Sequence, residues 1–264
     1  LLSNHVHTLD PLWLAERLYR PVCPMGSAQM LKIPFLGSFL RALGCFPKAK
    51  YSRDPKAMEK LQELYDQGFV VLIFPEGTRT FNGRTQPILP GIGKLIKRMN
   101  PTVVYAVSNS AFLYQPRWAR FPRMVPVEVQ FDGPYNYSDD MTVEELTAEV
   151  QSRLDCTAHI KDRSSWTWGW KMAHGLSRFL WACPMCLANE GLQVDPENGN
   201  QVTCEQCGAS LEIDVECRLT GSVQTTLWSA SQAIAEGMGQ PPVMDREDYE
   251  ACGTALRAPE GELR

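Results

Sequence analysis

The apolar run Phe69–Phe74 constrains the fold of this chain more than any other segment. Six consecutive apolar residues are typical of a strand buried on both faces, as in a parallel sheet that is covered by helices. Thr102–Val107 and Val125–Phe131 are interpreted as two further buried strands. Segments with helical periodicity occur at 55–67, 91–99 and 142–154. The sequence therefore predicts an α/β fold with a mostly parallel sheet flanked by helices.

Three sequence signals mark helix ends. Thr142 and Glu145 have the spacing of a capping box, and Gly68 has the position of a C-terminal cap. Asp10 is predicted to be an N-cap, with Pro11 at the first helical position. This start places His5 on the loop that precedes the helix.

His5 and Asp10 form a candidate catalytic pair on that loop. A neutral imidazole is the commonest general base near pH 7, and a carboxylate on its other nitrogen fixes the tautomer and stabilises the imidazolium. After the apolar run, Gly77 allows a ligand to approach the backbone, and Arg79 offers a guanidinium suited to bidentate contact with phosphate. These residues predict transfer of a group onto a phosphorylated alcohol.

The order of these motifs resembles the glycerolipid acyltransferase family, whose best-known members are 1-acyl-glycerol-3-phosphate acyltransferases. The resemblance covers roughly residues 1–155, and its first and third blocks are the most specific. Its four blocks are Asn4–Asp10 with His5-x4-Asp10, the glycine-containing apolar stretch Pro34–Pro47, Phe74–Thr80, and the apolar strand Val103–Val107.

The resemblance implies a mechanism and a set of binding residues. His5 would deprotonate the acceptor hydroxyl, which then attacks the thioester of acyl-CoA or acyl-carrier protein, while Asp10 orients His5. Arg79 would contact the acceptor phosphate. The remaining substrate-binding residues are expected to be Glu76, Gly77 and Thr78 from the third block, with Lys50 and Arg53 after the second. His7 has the wrong spacing to Asp10 and is interpreted as a supporting or surface residue.

Two residues depart from the family pattern. Lys50 stands where the family carries an arginine, and lysine keeps the charge but loses the bidentate fork. Val104 stands where the fourth block carries a proline, which bears on the shape of the acyl-donor pocket. The expected acceptor is a lysophospholipid, and the alternative is an acyltransferase for a lipid acceptor without phosphate.

Four of the nine cysteines form two Cys-x-x-Cys pairs with seventeen residues between the pairs. The pairs are Cys183 with Cys186 and Cys204 with Cys207. This spacing predicts a zinc ribbon with a structural, closed Zn²⁺ site, and Cys217 lies too far along to be a ligand. Because no Lys or Arg occurs between Cys183 and Cys217, the ribbon is not expected to bind nucleic acid. A non-catalytic, zinc-dependent interaction protein on the same scaffold is the rival from another functional class.

Charge and aromatic residues favour contact with a membrane surface. Residues 1–180 hold 22 Lys and Arg against 16 Asp and Glu, whereas residues 181–264 hold 4 against 14. Residues 155–182 mix tryptophans with basic side chains, which indicates either an interfacial segment or aromatics that pack the second module. Arg117–Arg123 shows the same mixture, with a solvated loop packed by Trp118 as the alternative. No apolar run reaches 18 residues.

Four regions are expected along the chain: an acyltransferase domain at 1–155, a connecting segment at 156–182, the zinc ribbon at 183–218, and a helix with a disordered acidic tail at 219–264. Leu1 is not an initiator methionine, so the chain is interpreted as a fragment whose preceding segment is missing. The cysteine usage fits a reducing compartment. We expect a location on the cytoplasmic side of a membrane, peripheral or anchored by that preceding segment.

Overall fold

The structure is a computed structural model that describes residues 1–49, 52–160 and 166–238. These residues form two compact units, and the chain passes between them five times. The first unit comprises Leu1–Thr78, Pro87–Ser108 and Val129–Asp155. The second comprises Arg79–Gln86, Asn109–Glu128 and the described residues from Cys156 onward.

The first unit is built on a mixed sheet. Its strands are β1 (Leu2–Ser3), β2 (Val22–Ser27), β3 (Phe46–Lys48), β4 (Val70–Leu72), β5 (Val103–Ser108) and β7 (Val129–Tyr135), while β6 (Arg123–Met124) belongs to the second unit. β2 runs parallel to β3 and β4, and β1 runs parallel to β5. A parallel bridge from Leu2 to Ile73 joins these groups, so the spatial order is β3, β2, β4, β1, β5, β7. Only β7, on the edge, is antiparallel to its neighbour.

Five α-helices belong to the described part of this unit. They are α1 (Asp10–Glu16), α2 (Leu36–Ala42), α3 (Pro55–Asp66), α4 (Gly91–Met99) and α6 (Val143–Leu154), while α5 (Ala111–Tyr114) and α7 (Leu227–Met238) belong to the second unit. All of the five but α2 bury apolar side chains. Ile96 of α4 and Val150 of α6 share a buried core with Tyr105 of β5. The capping box at the start of α6 forms as the sequence predicts. Among the described residues, no helix has the length and apolarity needed to cross a bilayer.

Three details differ from the expectations. Asp10 is the first residue of α1, with Leu9 at the N-cap position, because its carboxylate turns back onto the preceding loop. The third predicted strand begins at Val129, since Pro126 lacks an N–H for a ladder and its carbonyl accepts the Ser110 hydroxyl. β2 was not predicted, because Pro24 and Gly26 interrupt its apolar pattern.

The second unit contains an antiparallel sheet of five short strands. These are β9 (Leu192–Val194), β10 (Gln201–Cys204), β11 (Ser210–Ile213), β12 (Arg218–Gly221) and β13 (Thr225–Thr226), which lie in the order β13, β12, β11, β10, β9. β6 pairs separately with β8 (Trp168–Gly169). The expected acidic tail lies almost entirely in residues 239–264, outside the described residues.

Candidate active site

His5 lies on the loop that follows β1, at the carboxyl end of the parallel strands. Its Nδ1 atom is 2.9 Å from Oδ2 of Asp10. The imidazole ring stacks on Phe74, with centroids 4.0 Å apart, and the side chain is 20% exposed. The loop between them curls back, which brings the two side chains of the candidate catalytic pair into contact.

Asp10 is buried and organises the whole loop. Besides facing the His5 ring, its Oδ2 atom accepts the backbone N–H groups of Val6 and His7, each at 2.8 Å. Three donors on one carboxylate oxygen fix both the backbone and the ring. An imidazole held through Nδ1 carries its proton on that nitrogen, so Nε2 is the atom with the lone pair that could accept another.

Glu76 ties the loop to the end of β4. Its carboxylate is buried, and Oε1 accepts the backbone N–H of His5 at 2.6 Å. This contact gives Glu76 a role in positioning His5 that the sequence did not indicate. Gly77 follows with φ +73°, and a Cβ atom there would lie 2.8 Å from the Leu89 side chain. Glycine is therefore required at this turn for both its conformation and its small size.

Asn4 is a site residue whose role was missed by the sequence reasoning. Its buried side chain donates through Nδ2 to the carbonyl of Ser108, and its Oδ1 accepts the Ser108 N–H at 2.8 Å. The pair locks the end of β1 to the end of β5 immediately before His5. An asparagine beside a histidine carries no distinctive spacing, so only the sheet pairing reveals this role.

The remaining predicted substrate-binding residues belong to different parts of the chain. Thr78 is half-buried and ends a segment of the first unit, while Arg79 begins a segment of the second. Arg53 is exposed just before α3, and Lys50 lies outside the described residues. His7 is buried and stacks on Trp13 at 4.9 Å, which makes it a supporting residue rather than a surface one. The first unit thus brings together His5, Asp10, Glu76 and Gly77.

The four predicted zinc ligands converge in the second unit, where their sulfur atoms all lie within 4.8 Å of one another. Sγ of Cys183 is 3.8 Å from that of Cys207, and Sγ of Cys186 is 3.7 Å from that of Cys204. Tetrahedral Zn–S bonds of about 2.3 Å require S–S distances of about 3.8 Å. Burial raises the pKa of the Cys183 thiol to about 12, and a bound cation would oppose this shift. The donor set and its spacing fit Zn²⁺.

Two segments mix aromatic with basic residues, and they differ in exposure: Arg117–Arg123 is partly buried, whereas 155–182 leaves three tryptophans exposed. Trp118 and Arg123 are buried, and Nη1 of Arg123 donates to the Val215 carbonyl at 3.0 Å and to Sγ of Cys217 at 2.9 Å. These contacts show that part of Arg117–Arg123 is a packed element of the second unit. By contrast, the segment at 155–182 leaves three tryptophan side chains exposed, at 51%, 56% and 59%: Trp166, Trp168 and Trp170.

Comparison with known proteins finds similarity for the front of the chain. Residues 1–109 match the family model described as Acyltransferase. A 1-acyl-sn-glycerol-3-phosphate acyltransferase of Limnanthes alba is 27% identical over 159 residues, which are 57% of this chain and 54% of that protein. A protein of the same name from Pseudomonas aeruginosa is 27% identical over 177 residues, which are 60% of this chain and 67% of that protein.

The chain therefore spans about half the length of the plant relative that it matches. The crystal structure of the 1-acyl-sn-glycerophosphate (LPA) acyltransferase PlsC from Thermotoga maritima aligns with a TM-score of 0.46 and 20% identity. That alignment covers 57% of this chain and 60% of the PlsC chain.

Proposed function

We propose that this protein is an O-acyltransferase that moves a fatty acyl group from an acyl thioester to a hydroxyl of a lysophospholipid-like acceptor. The observation that carries the proposal is the His5–Asp10 pair, held at 2.9 Å within the segment that matches the acyltransferase family model. The names of the relatives support an acceptor of the 1-acyl-glycerol-3-phosphate type.

In the proposed reaction, Nε2 of His5 removes the proton of the acceptor hydroxyl while its oxygen attacks the thioester carbonyl carbon. A tetrahedral intermediate forms, and its collapse breaks the C–S bond. The proton on Nε2 passes to the leaving sulfur, which yields an ester and a free thiol. Asp10 stabilises the imidazolium between these two proton transfers.

Following the family resemblance, the residues proposed to contribute to acceptor binding are Glu76, Gly77, Thr78, Arg79, Lys50 and Arg53. Arg79 would hold the acceptor phosphate through its guanidinium fork. The donor would be acyl-CoA or acyl-carrier protein. Lys50, in place of the arginine of the family pattern, keeps the charge but lacks the bidentate fork, and it motivates a second candidate, an acceptor without phosphate. Comparing lysophosphatidate with a glycolipid or aminoacyl-lipid acceptor separates the two, because only one class would support turnover.

We also propose that the four clustered cysteines bind one structural Zn²⁺. Support comes from the two Sγ–Sγ distances of 3.8 and 3.7 Å. A tetrahedral site with four thiolates has no open position for substrate, which favours a structural role. The free sulfur ligands fit a reducing compartment, and we propose that the protein works at the cytoplasmic face of a membrane. The three exposed tryptophans support contact with that surface.

The test is acyl transfer from radiolabelled acyl-CoA to lysophosphatidate by the full chain. We expect His5→Ala to lower the rate by roughly 10²–10⁴-fold, the usual contribution of a positioned base. His159→Ala is the matched control, since His159 is an exposed histidine of the second unit and should leave the rate unchanged. Wild-type turnover by a folded His5→Ala variant would refute the mechanism.

A further inference from the structure

An exposed apolar surface lies in the crossover between β2 and β3. Its side chains are large and mostly solvated: Phe35 is 93% exposed and Phe39 56%. The helix α2 within it buries only Gly37 and half-buries Leu40, while its other side chains face solvent. We name it the 33–43 surface, formed by Ile33, Phe35, Leu36, Phe39 and Leu43, all of which are at least 40% exposed.

The backbone holds these side chains outward in a fixed arrangement. Phe35 has φ +62° and ψ −53°, and the N–H of Leu36 donates to the Pro34 carbonyl at 2.7 Å, which makes Pro34–Leu36 a γ-turn with a positive φ. On the opposite side, a Cβ atom on Gly37 would lie 2.1 Å from the carbonyl oxygen of the buried Leu31. This close packing holds the Gly37 side of α2 against Leu31 and leaves Phe39 exposed.

The charged residues of the chain segment that contains this surface are all of one sign. Residues 17–53 contain no Asp or Glu and seven basic residues: Arg17, Arg20, Lys32, Arg41, Lys48, Lys50 and Arg53. Lys32 directly precedes Ile33, Arg41 lies between Phe39 and Leu43, and both basic residues are exposed. Exposed apolar groups among basic side chains complement a layer of acyl chains beneath anionic headgroups.

The topology relates this surface to the candidate active site. β2 is parallel to β4, and the chain leaves β2 at its carboxyl end, after Ser27, to enter the 33–43 surface. His5 and Glu76 follow the carboxyl ends of β1 and β4. The surface therefore begins at the edge of the sheet that carries the candidate catalytic residues.

We infer that the 33–43 surface is a membrane-docking site that inserts Phe35 and Phe39 into an anionic bilayer beside the active-site edge. A lipid bilayer fits better than a protein partner because every charged residue of the 17–53 segment, which carries these apolar side chains, is basic. The delivery of lipid substrate to His5 from this bilayer rests on the proposed acyltransferase function, whereas docking itself does not.

The test is cosedimentation of the full chain with vesicles of phosphatidylcholine alone or mixed with phosphatidylglycerol. Phe35→Ser combined with Phe39→Ser should weaken binding to the mixed vesicles at least tenfold, since each phenylalanine ring is a large apolar group. Lys32→Gln combined with Arg41→Gln should weaken it by roughly 30-fold at low salt, given about 1 kcal/mol for each basic residue near such a surface. Phe131→Ser is the control, because Phe131 is 39% exposed on the opposite edge strand β7.

Two results would overturn the inference. One is wild-type vesicle binding by both double variants. The other is a wild-type dimer that Phe35→Ser with Phe39→Ser dissociates while vesicle binding stays unchanged, which would assign the surface to a second copy of the chain. Vesicle binding is measured without acyl transfer, so its outcome is independent of the His5→Ala experiment. Circular dichroism of each variant verifies that it is folded.

Discussion

At the scale of single residues, the candidate base is held at two points by two different carboxylates. Asp10 faces the ring of His5, whereas Glu76 accepts the His5 backbone N–H. The family resemblance implies that Glu76 binds the acceptor, and the structure adds a positioning contact. Acceptor binding and positioning of His5 predict different effects when Glu76 is replaced by glutamine. The neutral amide can still accept the His5 N–H, but it no longer offers a negative charge to a ligand.

Glu76→Gln should keep most of the acyl-transfer rate if positioning is the main role, because the amide oxygen can still accept the His5 N–H. Glu76→Ala should lower kcat by roughly 10–100-fold, since an unmade buried hydrogen bond costs ~1–3 kcal/mol. Steady-state kinetics with lysophosphatidate provide the measurement. An equal loss in both variants, confined to KM for the acceptor, would instead indicate direct binding of the substrate by the carboxylate.

At the scale of elements, the contact between α4 and α6 depends on one glycine. A Cβ atom on Gly93 would lie 2.3 Å from the Val143 carbonyl and 2.4 Å from the Thr147 hydroxyl, whereas one on Gly91 would meet nothing within 4 Å. Gly93→Ala should therefore destabilise the protein by ~1–3 kcal/mol through overpacking. Gly91→Ala, on the same helix, should be neutral or slightly stabilising. Urea unfolding of both variants measures the difference, and equal midpoints would contradict this packing.

The cap of α3 predicts a dependence of stability on pH. The N–H groups of Ala49 and Ala57 donate to the Asp54 carboxylate and lower its pKa below the ordinary 3.8. Because the folded pKa is the lower one, Asp54 stabilises the fold above pH 3.8, and this contribution is lost as the pH falls through the folded pKa.

The thermal midpoint of Asp54→Ala should therefore lie below that of the wild type at pH 6, and the difference should shrink below pH 3.8. Asp54→Asn keeps a capping oxygen without a titrating charge, and its difference from Asp54→Ala should change little with pH. Parallel curves for wild type and Asp54→Ala across this range would show that the carboxylate is not the cap.

Elements with strong periodicity could be predicted from the sequence, and elements defined by pairing could not. The bounds of α4 and the capping box of α6 follow from local patterns and agree with the structure. Strand β7 starts later than its apolar pattern indicates and runs antiparallel, since a pattern of apolar residues carries no direction. The His5–Asp10 contact was predictable from spacing. The contacts of Asn4 and Glu76 were not, because both depend on which strands lie next to β1.

At the scale of the whole molecule, the proposed zinc site predicts a metal requirement for the second unit. We expect one Zn²⁺ per chain by elemental analysis of the purified protein. Cys204→Ser should abolish bound zinc and lower the thermal midpoint, because structural zinc sites contribute directly to folding. Cys156→Ser is the control, as Cys156 lies outside the cluster. A metal-free wild type of unchanged stability after exhaustive chelation would refute the site.

Because the two units alternate along the chain, contacts within the second unit join residues that are synthesised at different times. Phe81 stacks on Phe179 at 5.5 Å, although about 100 residues of chain separate them. Arg123 likewise binds the Val215 carbonyl, which the ribosome adds far later. At a translation rate of ~5–20 residues per second, Phe179 is synthesised roughly 5–20 s after Phe81. During translation, therefore, the nascent chain exposes aromatic side chains from the middle of the acyltransferase-like sequence, and we expect this stage to be the one most dependent on chaperones.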